Sequence, residues 1–307
     1  MTQTIFLTGA SGYIGGSVAQ RLVATGHRVR GLARSAATAQ ELSRRGIEPV
    51  MGSLDDSDLL SEEARAADGV VDAASSDHAP SARALIAGLA GTSKPLLHTS
   101  GSSVIGDDAR GGPGSQAVFD ESTPLVVNPL KQARRDIDLM VLDAARKDVR
   151  SAVICPSLIY GMGRGLHADS YQIPFLASNA LEHGAVQVVG AGLNIWSNVH
   201  IDDVAELFVL ALAKAPPGAF YFAESAEASF ADLGAALAKR LGLGAVESLD
   251  PLAAARMWGE AKAYFSLGSN SRVRATRARS ELGWTPQHSS VIDWILHEMP
   301  APAPQQS

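Results

Sequence analysis

The sequence has little of what a disulfide-stabilised, membrane-spanning or nucleic-acid-binding protein needs. Its one cysteine, Cys155, excludes an internal disulfide and supplies too few thiolates for a zinc or iron–sulfur centre, so we expect no metal. No apolar run approaches the roughly 20 residues of a membrane-spanning helix. Acidic residues outnumber basic ones by 32 to 26, so neither nucleic acid nor an anionic membrane is an expected partner.

What is present describes an ordinary globular protein. The chain has 307 residues, of which 46% are hydrophobic and 19% charged. This length allows one large α/β domain with a smaller appended lobe. A strand-like segment, residues 4–8, stands almost at the start with no charged and apolar leader before it. We therefore expect a cytoplasmic protein.

Short apolar runs alternate with longer amphipathic stretches through the first half of the chain, which is typical of βαβ units. The pattern predicts strands at residues 5–8, 28–33, 48–51, 69–73, 95–99 and 151–155, and helices at 13–25, 36–45, 56–66, 81–90 and 131–146. Together they predict an α/β fold, a doubly wound parallel Rossmann sheet with a small C-terminal substrate lobe. The predicted parts are a Rossmann domain at 1–160 with a return segment at about 198–222, a lobe at 161–197 and 223–300, and a flexible tail at 301–307.

The first strand and first helix are joined by a glycine-rich loop, Thr8-Gly-Ala-Ser-Gly-Tyr-Ile-Gly15. Gly9 allows the tight turn, Gly12 lets the backbone approach a pyrophosphate, and Gly15 lets the helix pack closely on the strand. The pyrophosphate then meets free N–H groups at the positive end of the helix dipole. The loop predicts a dinucleotide site that also includes Ser11, Tyr13 and Ile14.

The residues at the end of the second strand indicate which dinucleotide the site binds. NAD enzymes place a carboxylate there for the ribose hydroxyls, but this chain has Ala33 followed by Arg34. The missing carboxylate removes repulsion toward a 2′-phosphate, and the planar guanidinium of Arg34 suits that group. Ser11 and Ser35 are additional hydroxyl donors. The predicted cofactor is therefore NADP(H).

These motifs resemble those of the extended or atypical short-chain dehydrogenase/reductase superfamily, which includes nucleotide-sugar epimerases. The similar segments are residues 8–15 (TGxxGxxG), 52–55, 70–74, 97–100, 156–161 (PxxxYG) and 198–205 (HVDDVA-like). The resemblance implies that Ser53 and Leu54 contact the adenine, that Ala73 and Ala74 lie along the cofactor, and that Pro156 lies beside the nicotinamide.

The catalytic pattern departs from the family's Tyr-x-x-x-Lys. If Asp138 takes the place of the usual acidic residue, Arg134 matches the lysine and Leu130 the tyrosine, and no tyrosine stands between positions 13 and 160. Arg134 could hold the ribose but is no proton donor at neutral pH. The usual catalytic serine falls on a glycine, and its neighbours Ser100, Ser102 and Ser103 are candidates for a hydrogen bond to a substrate carbonyl. The candidate proton donors are His78, Tyr160, His167 and His200.

The predicted function is an NADPH-dependent oxidoreductase that reduces a carbonyl, imine or conjugated alkene. Aromatic residues in the predicted lobe favour a small, partly apolar substrate: Tyr171, Phe175, Trp196, Trp258, Tyr264 and Phe265. A non-catalytic NADP(H)-binding sensor is the alternative, since the tyrosine is missing. An epimerase, dehydratase or isomerase is a third, although such reactions depend most on that tyrosine.

A homodimer is also possible, because helices matching residues 81–90 and 131–146 often form a dimer interface in this superfamily. The second helix carries an apolar stripe at helical spacing: Ala133, Ile137, Val141 and Ala144. The stripe equally suits packing against the chain's own sheet.

Overall fold

A computed structural model describes residues 2–300, so the predicted flexible tail at 301–307 lies outside the described residues. It contains twelve strands, β1 to β12, which span Thr4–Thr8, Arg28–Ala33, Glu48–Met51, Gly69–Asp72, Pro95–Thr99, Arg150–Pro156, Leu158–Tyr160, Gln187–Val189, Ile195–His200, Ala219–Ala223, Ala226–Ser229 and Glu247–Leu249. Its eleven α-helices, α1 to α11, span Tyr13–Ala24, Ala36–Arg44, Ser57–Ala66, Ala79–Leu89, Gln132–Asp143, Gln172–His183, Ile201–Lys214, Phe230–Leu241, Pro251–Trp258, Thr276–Leu282 and Val291–His297.

Seven parallel strands form the main sheet in the order β10-β6-β5-β4-β1-β2-β3. The chain winds outward from β1 to β3 and then crosses back to β4 on the other side of β1. Helix α1 packs against α7, and α3 packs against α4, as right-handed crossovers on two faces require. The doubly wound Rossmann fold is confirmed. Its reversal of strand order lies between β1 and β4, where open α/β sheets bind their ligands.

A second hydrophobic core lies under a small sheet of β7, β9 and β11 and the helices α6, α8, α9 and α11. One part of the predicted lobe belongs elsewhere. Residues 273–284, including α10, bury Val273, Leu282 and Trp284 in the core of the main sheet. The Trp284 indole donates a hydrogen bond to the Asp203 carbonyl oxygen, at 2.9 Å. Helix α10 packs against the edge strand β10 and against α7, which ties this segment to the main sheet.

The apolar stripe on α5 faces the chain's own sheet. Ile137, Val141 and Ala144 are buried in the main core, whereas Ala133 is exposed. The stripe therefore gives no support to a homodimer. The observed α5 is shorter than the helix predicted at 131–146, because 3₁₀ turns at Pro129–Lys131 and Ala144–Lys147 flank it. Among residues 2–300, no helix is both long and apolar enough to span a bilayer.

Candidate functional site

The glycine-rich loop takes the conformation that its sequence requires. Gly9 has a φ of +76°, and a Cβ there would lie 2.5 Å from the Ala73 carbonyl oxygen. A Cβ at Gly15 would collide with the Gly9 carbonyl oxygen. Gly12 differs, because its Cβ would meet only that same oxygen, at 3.2 Å. Gly9 and Gly15 are thus needed for the fold, while Gly12 leaves an open surface.

The first turn of α1 lies at this open surface. Gly12 is the N-cap residue directly before the helix, and among the described residues no side chain caps the helix and no acidic residue stands in its first turn. The free N–H groups and the positive end of the helix dipole are therefore directed at whatever occupies the loop. This environment suits a pyrophosphate.

A cleft of about 670 Å³ begins at this loop and runs along the carboxyl ends of β1, β2 and β4. Eight residues predicted to bind the cofactor line it: Gly9, Ser11, Gly12, Arg34, Ser53, Leu54, Ala73 and Ala74. The residues present therefore fit the adenosine and pyrophosphate half of a dinucleotide. They would hold the adenine beside Ser53 and Leu54 and the pyrophosphate on the glycine loop.

The loop between β7 and α6 forms the other wall of this cleft, through Leu166 and His167. The Tyr13 hydroxyl donates a hydrogen bond to the Gly161 carbonyl oxygen, at 2.9 Å, and the His167 amide donates to the Ser11 carbonyl oxygen, at 3.2 Å. Sequence reasoning named His167 only as a proton donor and did not identify Leu166. The glycines at 161, 163 and 165 were the available signal, because side chains there would collide with neighbouring residues.

The remaining residues of the predicted cofactor set do not line the cleft. Ile14 and Gly15 pack against the main sheet, and Pro156 is buried at the end of β6. Ser35 caps α2, since its Oγ accepts a hydrogen bond from the Thr38 amide at 3.2 Å. Thr38, which sequence reasoning did not identify, lines the cleft in its place.

Arg34 is exposed at the rim of the cleft. It forms no hydrogen bond or ion pair with any residue that the structure describes, and the preceding Ala33 is buried. An unpaired guanidinium beside the place of the usual carboxylate is electrostatically matched to a phosphate. The carboxyl group nearest in sequence along α2, that of Glu41, is paired with Arg44.

A second cluster lies beyond the cleft and is centred on Arg134. Its guanidinium makes a two-pronged ion pair with Asp77, with N···O distances of 2.8 and 2.6 Å, and its Nη1 donates to the Ser103 Oγ at 3.2 Å. A Cβ on Gly101 would lie 3.4 Å from Nη1. The hydrogen bond from Arg134 lowers the pKa of Asp77, and Asp77 in turn raises the pKa of Arg134. Both groups are therefore charged at neutral pH.

Two of the predicted serines form hydrogen bonds to residues outside the Arg134 cluster. Ser100 is buried, and its Oγ donates to the Asp138 carboxylate at 3.0 Å. Ser102 is also buried, with its Oγ 2.8 Å from the Ser271 Oγ. Because both hydroxyls face the interior, Ser103 is the serine that the structure brings to Arg134.

Tyr160 and His78 do not reach the Arg134 cluster either. The Tyr160 side chain is 1% exposed and packs in the lobe core against His200 and Trp294, and burial raises its pKa. Its predicted catalytic role is therefore corrected. His78 caps α4, because its Nδ1 accepts from the Ser81 amide at 3.2 Å. It lines the adenine side of the cleft, away from the expected chemistry.

Arg134 matches the family lysine that holds the cofactor ribose. We therefore expect Arg134→Ala to remove one charge-assisted contact with the ribose and to raise the dissociation constant of NADPH by about 10-fold. Arg146→Ala is the matched control, since Arg146 lies on the same segment and its side chain is 85% exposed. Fluorescence titration of the reduced cofactor measures both variants. An unchanged dissociation constant for Arg134→Ala would remove Arg134 from the binding site.

Comparisons with known proteins agree with this geometry. The sequence model of the NAD-dependent epimerase/dehydratase family matches residues 5–221. The chain is 36% identical to the oxidase ucsJ of an Acremonium species, over 93% of both chains. It is 30% identical to the 4-hydroxy-2-methyl-3-oxo-4-farnesyl-3,4-dihydroquinoline-1-oxide ketoreductase of Stigmatella aurantiaca, over 71% of this chain and 66% of the relative.

A solved structure shares the fold. DesIV of Streptomyces venezuelae, a dTDP-glucose 4,6-dehydratase, is 21% identical, with a TM-score of 0.76 and coverage of 95% of this chain and 94% of DesIV. At 21% identity, this similarity shows a shared backbone fold and does not show a shared reaction. The reaction has to be argued from the residues at Arg134 and in the cleft.

Proposed function

Because the chain belongs to the NAD-dependent epimerase/dehydratase family, we propose that it is an NADPH-dependent oxidoreductase that reduces a carbonyl, imine or conjugated alkene of a small, partly apolar molecule. The NAD dependence of the family supports a nicotinamide dinucleotide as cofactor, and the oxidase and the ketoreductase among the relatives support an oxidoreductase. The choice of NADPH and of substrate is the proposal.

The observation that carries the choice of NADPH is Arg34. It stands at the rim of the adenosine half of the cleft, unpaired among the described residues, and directly follows Ala33, which takes the place of the carboxylate of NAD enzymes. A 2′-phosphate would satisfy this charge, and the Thr38 hydroxyl on the same wall is a further donor.

The Arg134 cluster supplies the chemistry that the chain itself contributes. The reduced nicotinamide supplies a hydride when it is bound. Asp77 holds the Arg134 fork in one orientation, so that Nη1 and the Ser103 hydroxyl converge on the side of Gly101. A fixed cation and a hydroxyl there stabilise the negative charge that develops on an oxygen or nitrogen as hydride arrives.

A non-catalytic NADP(H) sensor is the second candidate. It is favoured by Leu130, which takes the place of the family tyrosine and is 73% exposed. A sensor needs the cleft and Arg34 but no electrophilic cluster, so the ordered Asp77–Arg134–Ser103 arrangement supports an enzyme instead. Epimerase, dehydratase and isomerase reactions rely on the missing tyrosine and have the least support.

The test is NADPH consumption by the purified protein against a panel of small aldehydes, ketones, imines and enones, with NADH in parallel. We expect turnover that prefers NADPH, and the substrates that react will define the class. Tight NADPH binding in the same preparation with no turnover across the panel would favour the sensor instead.

A further inference from the structure

One charged side chain near Arg134 has no role in the description above. Lys131 ends the 3₁₀ turn Pro129–Lys131, next to Leu130 at the place of the family tyrosine, and immediately precedes α5. Arg134 follows one helical turn later. Residues three apart lie on the same side of a helix, so Lys131 and Arg134 share a face.

Asn128 fixes this turn onto the segment that carries Ser103. The Asn128 amide donates to the Val104 carbonyl oxygen at 2.8 Å, and its Nδ2 donates to the Gly106 carbonyl oxygen at 2.9 Å. Its Oδ1 accepts from the Leu130 amide at 3.0 Å. These contacts anchor the turn that ends at Lys131 to the segment that carries Ser103, and Lys131 stands three residues before Arg134, whose Nη1 donates to the Ser103 Oγ.

The surroundings of Lys131 favour the loss of a proton. Its side chain is half-buried and forms no hydrogen bond or ion pair within residues 2–300. The charged groups that face it are Arg134 on α5 and Asp77 in the loop after β4. Burial and repulsion by Arg134 lower the pKa of Lys131, and Asp77, already engaged by Arg134, offsets this only in part.

We propose that Lys131 is the proton donor that takes the place of the missing tyrosine, an inference that rests on the proposed function. In a carbonyl reduction, hydride adds to the carbonyl carbon and the π electron pair moves to the oxygen. An N–H bond of the Lys131 ammonium breaks as the new O–H bond forms. The neutral amine then recovers a proton from water, which reaches its half-exposed side chain.

The neighbouring groups do not compete for this role. Arg134 keeps its proton at any working pH, and Asp77 is ionised because Arg134 lowers its pKa. Ser103 would need a base or acid behind it, and the one hydrogen-bond partner of its hydroxyl within residues 2–300 is Arg134. A lysine whose pKa is lowered toward the working pH is an efficient general acid.

A first experiment needs no substrate. The chain contains only six lysines, so NMR of protein labelled with ¹³C at lysine Cε resolves each titration. We expect one resonance, lost in Lys131→Arg, to titrate below the other five. Arg134→Gln should raise its midpoint, because the repulsion is removed and Asp77 is released. A Lys131 that titrates together with the exposed lysines overturns the proposal.

The second experiment compares Lys131→Arg with Lys147→Arg on the substrates that wild type reduces. Both variants keep the charge, and Lys147 is an exposed residue after α5. A positioned general acid contributes about 100-fold or more, so kcat should fall by about that factor in Lys131→Arg alone, with the NADPH dissociation constant unchanged. Wild-type kcat should fall as pH rises through the Lys131 midpoint, because the ammonium is the active form, and Lys131→Arg should lose this alkaline limb.

The outcomes separate the two claims. An active wild type together with an equally active Lys131→Arg variant that keeps the alkaline limb overturns the role of Lys131 and leaves the reductase intact. A wild type that binds NADPH but reduces nothing in the panel overturns the reductase and, with it, the proton donor.

Discussion

Gly12→Val is expected to abolish binding of NADPH and NADH while the protein stays folded. The valine side chain would project from the first turn of α1 into the space where the pyrophosphate meets the free N–H groups. Its Cβ would have one close neighbour, the Gly9 carbonyl oxygen at 3.2 Å, and because a small shift relieves that contact we expect the protein to fold. We expect both dissociation constants to rise by at least about 100-fold, equivalent to about 3 kcal/mol.

The neighbouring glycines are the matched controls for this variant. Gly15→Val should lower the melting temperature strongly, because a Cβ there collides with the Gly9 carbonyl oxygen inside the structure. Gly26→Ala, at an exposed turn with a φ of +87°, should cost some stability because that φ disfavours a side chain, but it should leave cofactor binding unchanged. Isothermal titration and thermal unfolding of all three separate binding from folding. Near-normal affinity in a folded Gly12→Val protein would show that the loop does not hold a pyrophosphate.

The Rossmann sheet and the glycine loop were predictable because their signals are local. Strand residues repeat every two positions or form short apolar runs, and a glycine that turns a chain is visible in the sequence itself. The predicted strands at 28–33 and 48–51 have the same bounds as the observed β2 and β3. The lining of the cleft by Arg34, Ser53 and Ala73 followed because each is near the carboxyl end of a predicted strand.

The hydrogen-bond partners of individual side chains could not be predicted from the sequence in the same way. Ser100, Ser102 and Ser103 are close in sequence, yet their partners come from α5, from residue 271 and from α5 again. Which of the three hydroxyls meets Arg134 depends on packing between segments far apart in the chain. Trp284 likewise joins the main core because of contacts made more than 80 residues away, at Asp203.

Lys131 was missed for a different reason. Sequence reasoning looked for a proton donor among tyrosines and histidines, whose ordinary pKa values allow that role. A lysine becomes a candidate only when burial and a nearby positive charge lower its pKa, and both depend on the position of Arg134 and Asn128 in the folded chain. The missing tyrosine at Leu130 was the only signal in the sequence that pointed to this turn.

Arg34→Ala is expected to weaken the binding of NADPH far more than the binding of NADH. Arg34 lies at the rim of the adenosine half of the cleft and has no ion-pair partner within residues 2–300, and a hydrogen-bonded charge pair with phosphate contributes about 1.5–3 kcal/mol. The NADPH dissociation constant should therefore rise by about 10- to 100-fold. NADH has no 2′-phosphate, so its dissociation constant should change by less than about threefold, and the preference between the cofactors should shrink or invert.

Arg28→Ala is the matched control, because Arg28 begins the same strand whose far end leads into Arg34, and its side chain is 70% exposed. It removes the same charge at the other end of β2, so it corrects for any general effect of net charge on an anionic ligand. Arg34→Lys should fall between wild type and Arg34→Ala, since the ammonium keeps the charge but loses the planar fork. The NADPH contact should also weaken with added salt in wild type and much less in Arg34→Ala. Equal losses for NADPH and NADH would mean that Arg34 acts on a part that the two cofactors share, and the choice of NADPH would then lose its basis.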